Sequence, residues 1–209
     1  MYTPAAFRLE DLAEIFALVR SNPLATLVTA TADGLMATPL PLILDETEGP
    51  YGVLHGHLAR ANPQGAAAPT AEAQAIFMGA DAYVTPAWYA AKALTGQVVP
   101  TWNYEAVHAY GPVEVYDDPQ RLRAVVTRLT DRHEAGRPTP WAVTDAPSAY
   151  IDAQLRAIVG VRIPITRLEA KRKLSQNRPA ADRQSVAAGL ARSDRPGDRA
   201  IARAMGQGG

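Results

Sequence analysis

Leu24-Ala25-Thr26-Leu27-Val28-Thr29-Ala30-Thr31, followed by Ala32-Asp33-Gly34 and then Leu35-Met36-Ala37-Thr38-Pro39-Leu40-Pro41-Leu42-Ile43-Leu44, is the stretch from which the fold is read. Leu24–Thr31 is short and rich in Val, Thr and Leu, residues that suit a pleated, half-buried surface. Asp33-Gly34 is a strong hairpin signal, because the turns that join antiparallel strands favour residues tolerant of positive φ. Leu35–Leu44 then returns as the second strand. Its Pro39 and Pro41 donate no backbone N–H, which confines the strand to an edge, a bulge or a place where a ligand meets the backbone.

The reading extends outward from this hairpin. Upstream, Leu9, Leu12, Ile15, Phe16 and Val19 recur at helical spacing and predict a helix over Leu9–Arg20, stopped by Asn22-Pro23. Downstream, Tyr51–His57 is a third strand and Asn62-Pro63 opens a short, Ala-rich helical or irregular piece. Ala75–Met78 is a fourth strand, continued by Tyr83–Trp88 after a turn at Gly79. Ala90–Val99 reads as a loop. Tyr104–Tyr116 reads as one long strand with a bend at Gly111-Pro112. Asp118-Pro119 starts a helix, with Asp as cap and Pro in the first position; Leu122, Val125, Val126, Leu129 and His133 line one face of it. A helix near Pro147–Arg156, a last strand at Ile158–Ile165 and a short helix at Arg183–Ala191 follow. Ser193–Gly209, rich in Arg, Asp and Gly, is expected to be a disordered tail. The fold class is therefore mainly β with peripheral helices, a barrel built from short strands. Residues 1–180 are expected to form one domain, with residues 181–209 a C-terminal helix and tail.

The composition removes several classes of function. The 209 residues include no cysteine, so no disulfide framework or thiolate metal site can form. That fits a reducing cytoplasm, and the N-terminal residues show no basic and apolar regions of a secretory signal. No apolar run approaches the length of a membrane span. Formal net charge is zero, yet from Arg167 onward ten Lys/Arg stand against four Asp/Glu. Such a basic block suits a solvated surface or an anion such as phosphate or nucleic acid. There is no Walker lysine loop, GxGxxG, GxSxG elbow or HExxH. Neither a helix-turn-helix, a zinc finger nor an RNA-recognition signature is visible.

Three segments could carry chemistry. His55 and His57 sit two apart on a strand and share a face. A catalytic metal wants a third ligand, and none stands nearby, so no metal is assigned. The pair instead suits a hydrogen-bonding wall, with Gly56 allowing close approach of a ligand. Arg60 can hold a phosphate in a bidentate fork, and Asn62 can cap the turn that follows. The second segment, Pro100-Thr101-Trp102-Asn103-Tyr104, combines hydrogen-bonding groups with aromatics that can stack on a planar ring or simply fill a core. The third, Lys173-Leu174-Ser175-Gln176-Asn177-Arg178, is a dense donor set suited to phosphate or sugar-alcohol hydroxyls. Leu174 and Pro179 mark it as an anchored turn.

Taken in order, these pieces resemble the PaiB family, the FMN-binding negative transcriptional regulators of bacteria. The resemblance runs from Met1-Tyr2-x-Pro4 with Phe7 through Ala25–Thr29 with Asp33-Gly34 and Thr38-Pro39-Leu40-Pro41. It continues through Gly56-His57-Leu58-Ala59 with Asn62-Pro63, Ala82-Tyr83-Val84 with Trp88-Tyr89, and Val99–Tyr104 with Val107-His108. Tyr110-Gly111, Ile158-Val159-Gly160 and Lys173–Arg178 complete it. It departs at Gln64-Gly65-Ala66, where the family commonly has Trp, and at Asp81, where it usually has His. The resemblance implies an FMN-binding split β-barrel, a homodimer with FMN at the subunit interface, and DNA as a partner. It implies ligand roles for Thr38, His57, Arg60, Asn62, Lys173, Gln176, Asn177 and Arg178, with Trp102 and Asn103 as further candidates. No catalytic residue is assigned. An FMN-dependent oxidoreductase of the flavin-reductase or pyridoxamine-phosphate-oxidase kind remains an alternative, because a flavin carries its own hydride chemistry. A haem-binding barrel using His55 or His57 is another.

Overall fold

The computed structural model describes residues 1–207. In chain order the elements are β1 (Arg8–Leu9), α1 (Leu12–Ser21), β2 (Leu24–Thr31), β3 (Gly34–Pro41), β4 (Ile43–Asp45), β5 (Val53–Ala59) and β6 (Ala73–Val84). Then come α2 (Ala91–Thr95), β7 (Thr101–Gly111), β8 (Glu114–Tyr116), α3 (Pro119–Glu134), α4 (Ser148–Arg156), β9 (Ile158–Pro164), β10 (Arg167–Lys173), α5 (Ala180–Ala191) and α6 (Pro196–Gln207). The chain divides into two compact units. One comprises Met1–Ile15, Met78–Val107 and the chain from Glu169 onward; the other comprises Phe16–Phe77 and His108–Leu168.

The second unit contains the hairpin. Its register runs from Leu24↔Pro41 to Thr31↔Gly34. The two loop residues are thus Ala32 and Asp33, and Gly34, at φ +118°, opens β3. The Thr31 hydroxyl donates to the Gly34 carbonyl at 2.9 Å and closes the turn. β2 lies between β3 and β6, so Pro39 and Pro41 sit on an edge strand, where their missing N–H groups cost no ladder bonds. A second sheet has the order β4-β5-β9-β8. α3 covers part of this unit: Asp118 caps it through the Arg121 N–H at 2.8 Å, and it buries Val125 and Leu129 against Ile43. Leu122 joins Val143, Ile151 and Leu155 of the α4 region. His133 is exposed and takes no part in that face.

In the first unit β1 pairs antiparallel with β10, and β7 and β6 follow in order. A core of Ala82, Val84, Tyr89, Leu174, Val186, Leu190 and Ile201 lies among β6, α5 and α6.

Several expectations need correction. α1 begins at Leu12, not Leu9, because Arg8–Leu9 pairs with β10 and the Asp11 carboxylate accepts from the Glu14 N–H at 3.0 Å. β6 is a single strand without a turn at Gly79. Its buried positions change phase from Ala73, Ala75 and Phe77 to Ala82 and Val84, as one extra residue in a strand does. Gly79 is required by packing: a Cβ there would lie 2.9 Å from Cβ of Glu105. The expected strand Tyr104–Tyr116 is broken at Gly111-Pro112, and β8 pairs with β9 in the other sheet. α2 occupies part of the expected loop; the Ala91 N–H donates to the Asp182 carboxylate at 2.9 Å. β9 is not the last strand, since β10 follows it. Pro196–Gln207 is helical where a disordered tail is expected, because Ile201 is fully buried and Ala202, Ala204 and Met205 pack beside it. Residues 208–209 of that expected tail lie outside the described residues.

Candidate functional site

In the second unit, His55 and His57 do share a face of β5. His57 stands opposite Gly160 of β9, and Gly160 stands opposite Tyr116 of β8. A Cβ on Gly160 would lie 2.2 Å from the Tyr116 ring, so only glycine lets that ring cover β9. The Arg121 guanidinium lies 3.7 Å from the centre of the ring. Burial holds the His57 pKa below its ordinary value, and its Nδ1 is buried with no hydrogen-bond partner among the described residues. His57 is therefore neutral at pH 7. The His55 pKa is also lowered, first by burial and then by Arg128 and Arg162. Among the described residues no group of three or more potential metal ligands occurs.

Gly56 does not open space for a ligand. A Cβ there would meet a Leu42 methyl at 2.7 Å and the Pro41 carbonyl at 2.8 Å; the close approach is made by the chain itself. Arg60 serves α4: its Nε donates to the Arg156 carbonyl at 2.7 Å and a second N–H to the Ile158 carbonyl at 3.0 Å. The first satisfies a carbonyl that the α4 C-terminus leaves open, and the second ties Arg60 to the start of β9. Thr38 and Asn62 are brought together. The Asn62 amide donates to the Thr38 hydroxyl at 3.1 Å, and its carbonyl oxygen accepts from the Gln64 N–H at 2.9 Å. That fixes the Asn62 orientation and leaves the Thr38 hydroxyl hydrogen free to donate.

In the sequence Gln64 stands only as a departure from the family pattern, without a site role. It is 4% exposed, and its amide donates to the Leu27 carbonyl and the Thr29 hydroxyl, each at 3.1 Å. A polar side chain beside an Asn-Pro cap in an Ala-rich run was the available signal.

In the first unit the turn after β10 is built by its own side chains. Ser175 has φ +63°, a rarely populated region for serine, and its hydroxyl donates to the buried Asn103 side-chain oxygen at 3.1 Å. Gln176 accepts from the Leu174 N–H at 2.7 Å and donates to the Arg172 carbonyl at 2.6 Å. Both ends of its amide thus hold the turn. Lys173 donates to the Thr101 hydroxyl at 2.6 Å and to the Trp102 carbonyl, which leaves one of its three N–H groups. Arg178 lies over the Tyr89 ring at 4.9 Å. Asn177 is exposed and makes no hydrogen bond among the described residues. Trp102, 48% exposed, meets Tyr83 edge to face at 5.9 Å. The Asn103 amide points to the Met205 sulfur at 3.7 Å, a structural contact.

Burial, then Lys171 and Arg178, push the Lys173 pKa down. Neighbouring like charges disfavour its charged form, and an anion placed among them would relieve the repulsion. The free donors of Lys173, Asn177 and Arg178 therefore fit a phosphate. Sequence reading missed the network beside them, in which Arg172 pairs with Glu105 at 2.7 Å and with Glu14.

Residues 1–167 match the family described as "Putative FMN-binding domain". The Bacillus subtilis "Protease synthase and sporulation protein PAI 2" is 31% identical over 206 residues, covering 98% of this chain and 96% of that one. The chain belongs to the PaiB family. An uncharacterized Aspergillus fumigatus protein is 36% identical over 218 residues, 82% of this chain and 84% of its own. Among solved structures, the FAD and heme binding protein from Mycobacterium smegmatis aligns with a TM-score of 0.57 at 18% identity, over 85% of this chain and 77% of that one. The fold of this PaiB-family chain is thus that of the flavin-binding split barrels, mainly antiparallel sheet with helices; no closed ring of strands is detected among the described residues. Its cofactor is FMN. No helix among the described residues is long and apolar enough to cross a membrane.

Proposed function

We propose that this PaiB-family protein is a homodimeric regulator that binds FMN and DNA in the cytoplasm. The observation that carries the reading is the similarity to the Bacillus subtilis protein, whose name links it to protease synthesis and sporulation, over nearly the whole of both chains. The basic excess from Arg167 onward supports an anionic partner.

On the first unit, the proposed ligand donors are Lys173, Asn177 and Arg178, directed to the FMN phosphate. Gln176, Asn103 and the Ser175 hydroxyl act as positioning residues for that turn, and Trp102 offers an exposed ring. On the second unit, the Thr38 hydroxyl and the neutral His57 are the proposed polar contacts, with Asn62 orienting Thr38 and Arg60 anchoring the strand end. FMN, once bound, supplies redox chemistry and a planar ring; the protein's residues bind and orient it.

Two measurements test the reading. Sedimentation of the purified chain is expected to give a dimer. An electrophoretic shift of the protein's own promoter DNA is expected to weaken steeply with added salt, as phosphate neutralisation requires. A monomer at micromolar concentration, or no salt-sensitive shift of any genomic fragment, would overturn the respective part.

A further inference from the structure

The first unit holds a cavity of about 280 Å3 whose lining residues all fall between Arg172 and Gly206, beyond the family-matched residues 1–167. That is the small end of the range of ligand pockets, roughly 300–1,000 Å3. Arg172 and Arg183 supply its charge, while Leu174, Ala187 and Met205 contribute apolar surface.

The two arginines differ. Arg172 is neutralised by Glu105 and Glu14. The Arg183 side chain forms no hydrogen bond or ion pair among the described residues, and its Nε is buried without a partner. A buried charged donor left without an acceptor is unfavourable, because it has given up water for nothing in return. No acidic residue lines the cavity, so an anion bound there would give the Arg183 guanidinium its counter-charge.

We propose that this cavity binds a small organic carboxylate with a short apolar chain. A carboxylate matches one guanidinium in a bidentate fork. The second charge of a phosphate would find no free counter-charge, because Arg172 is already paired. The apolar lining takes the chain, since burying it removes hydrocarbon from water. Gln176, which shapes the proposed FMN turn, borders the cavity, but the proposed FMN donors Lys173, Asn177 and Arg178 do not line it, so the two sites are tested separately.

The test is calorimetric titration of the full chain with octanoate, with octan-1-ol as the uncharged control and inorganic phosphate as the anion without a chain. FMN is titrated in parallel, so that failure of either site is seen separately. Octanoate is expected to bind saturably, with both controls at least about tenfold weaker. Arg183→Gln should remove octanoate binding while FMN binding is unchanged, and Ala187→Phe, which fills the cavity, should do the same. No saturable octanoate binding, phosphate binding as tight as octanoate, or folded Arg183→Gln protein that binds octanoate like the unaltered chain would overturn the proposal.

Discussion

Gln176 spends both ends of its amide on the backbone of its own turn, so its side chain sets the shape from which Lys173, Asn177 and Arg178 project. Gln176→Ala should lower stability by about 1–2 kcal/mol, the worth of two modest hydrogen bonds, in urea unfolding. It should also weaken FMN binding, because the turn that Gln176 shapes carries the proposed donors; unchanged FMN affinity would deny it a positioning role. On the opposite count, Gly160 tolerates no side chain. Gly160→Ala should destabilise by about 1–3 kcal/mol through overpacking against the Tyr116 ring, and Tyr116→Ala in the same chain should recover part of the loss. A third consequence concerns pH. Burial lowers the folded-state pKa of His55 and His57 below 6.5, so the unfolded chain binds more protons below that pH. Their contribution to stability is complete above 6.5 and declines as pH falls through the window down to the lowered values. His57→Gln should flatten that decline in unfolding measured between neutral and mildly acidic pH; an equal slope in both proteins would contradict the assignment.

Elements differ in how openly they announce themselves. β2 is legible residue for residue because its apolar run is local and its turn residues stand beside it. α3 is legible because Asp118-Pro119 carries its own capping chemistry. β10 is not, because Arg167–Lys173 is mostly charged and its strand character comes from its place between β7 and β1, the latter more than 150 residues away in sequence. α6 hides behind Arg, Asp and Gly, although Pro196 in the first position and Ile201 and Met205 four apart were signals for a helix. Ile201→Ala should therefore cost about 2–4 kcal/mol, as for other fully buried large-to-small changes, and this is measured by thermal or urea unfolding. A loss near zero would mean that α6 is dispensable to the first unit. The site shows the same division. Thr38 with Asn62, and the Lys173–Arg178 turn, were marked by resemblance and local composition. Gln64, and Arg172 with Glu105 and Glu14, depend on distances that a linear reading does not contain.

For the whole molecule, a neutral total charge conceals a strong asymmetry, with the positive excess gathered after Arg167. Much of it is already engaged: Arg172 with two carboxylates and Arg195 with Asp81 and Asp198. The Lys173 ammonium, by contrast, is bound only to uncharged oxygens and crowded by Lys171 and Arg178. This is where the PaiB-family cofactor gains most from a phosphate. The most direct measurement is a fluorescence titration of FMN into the purified chain and into Lys173→Met, both checked for folding. Saturable binding is expected for the unaltered chain and at least about tenfold weaker binding for the variant, the loss of a charge-assisted contact. Equal binding by the two, or FMN that stays free in the presence of the unaltered chain, would contradict this expectation.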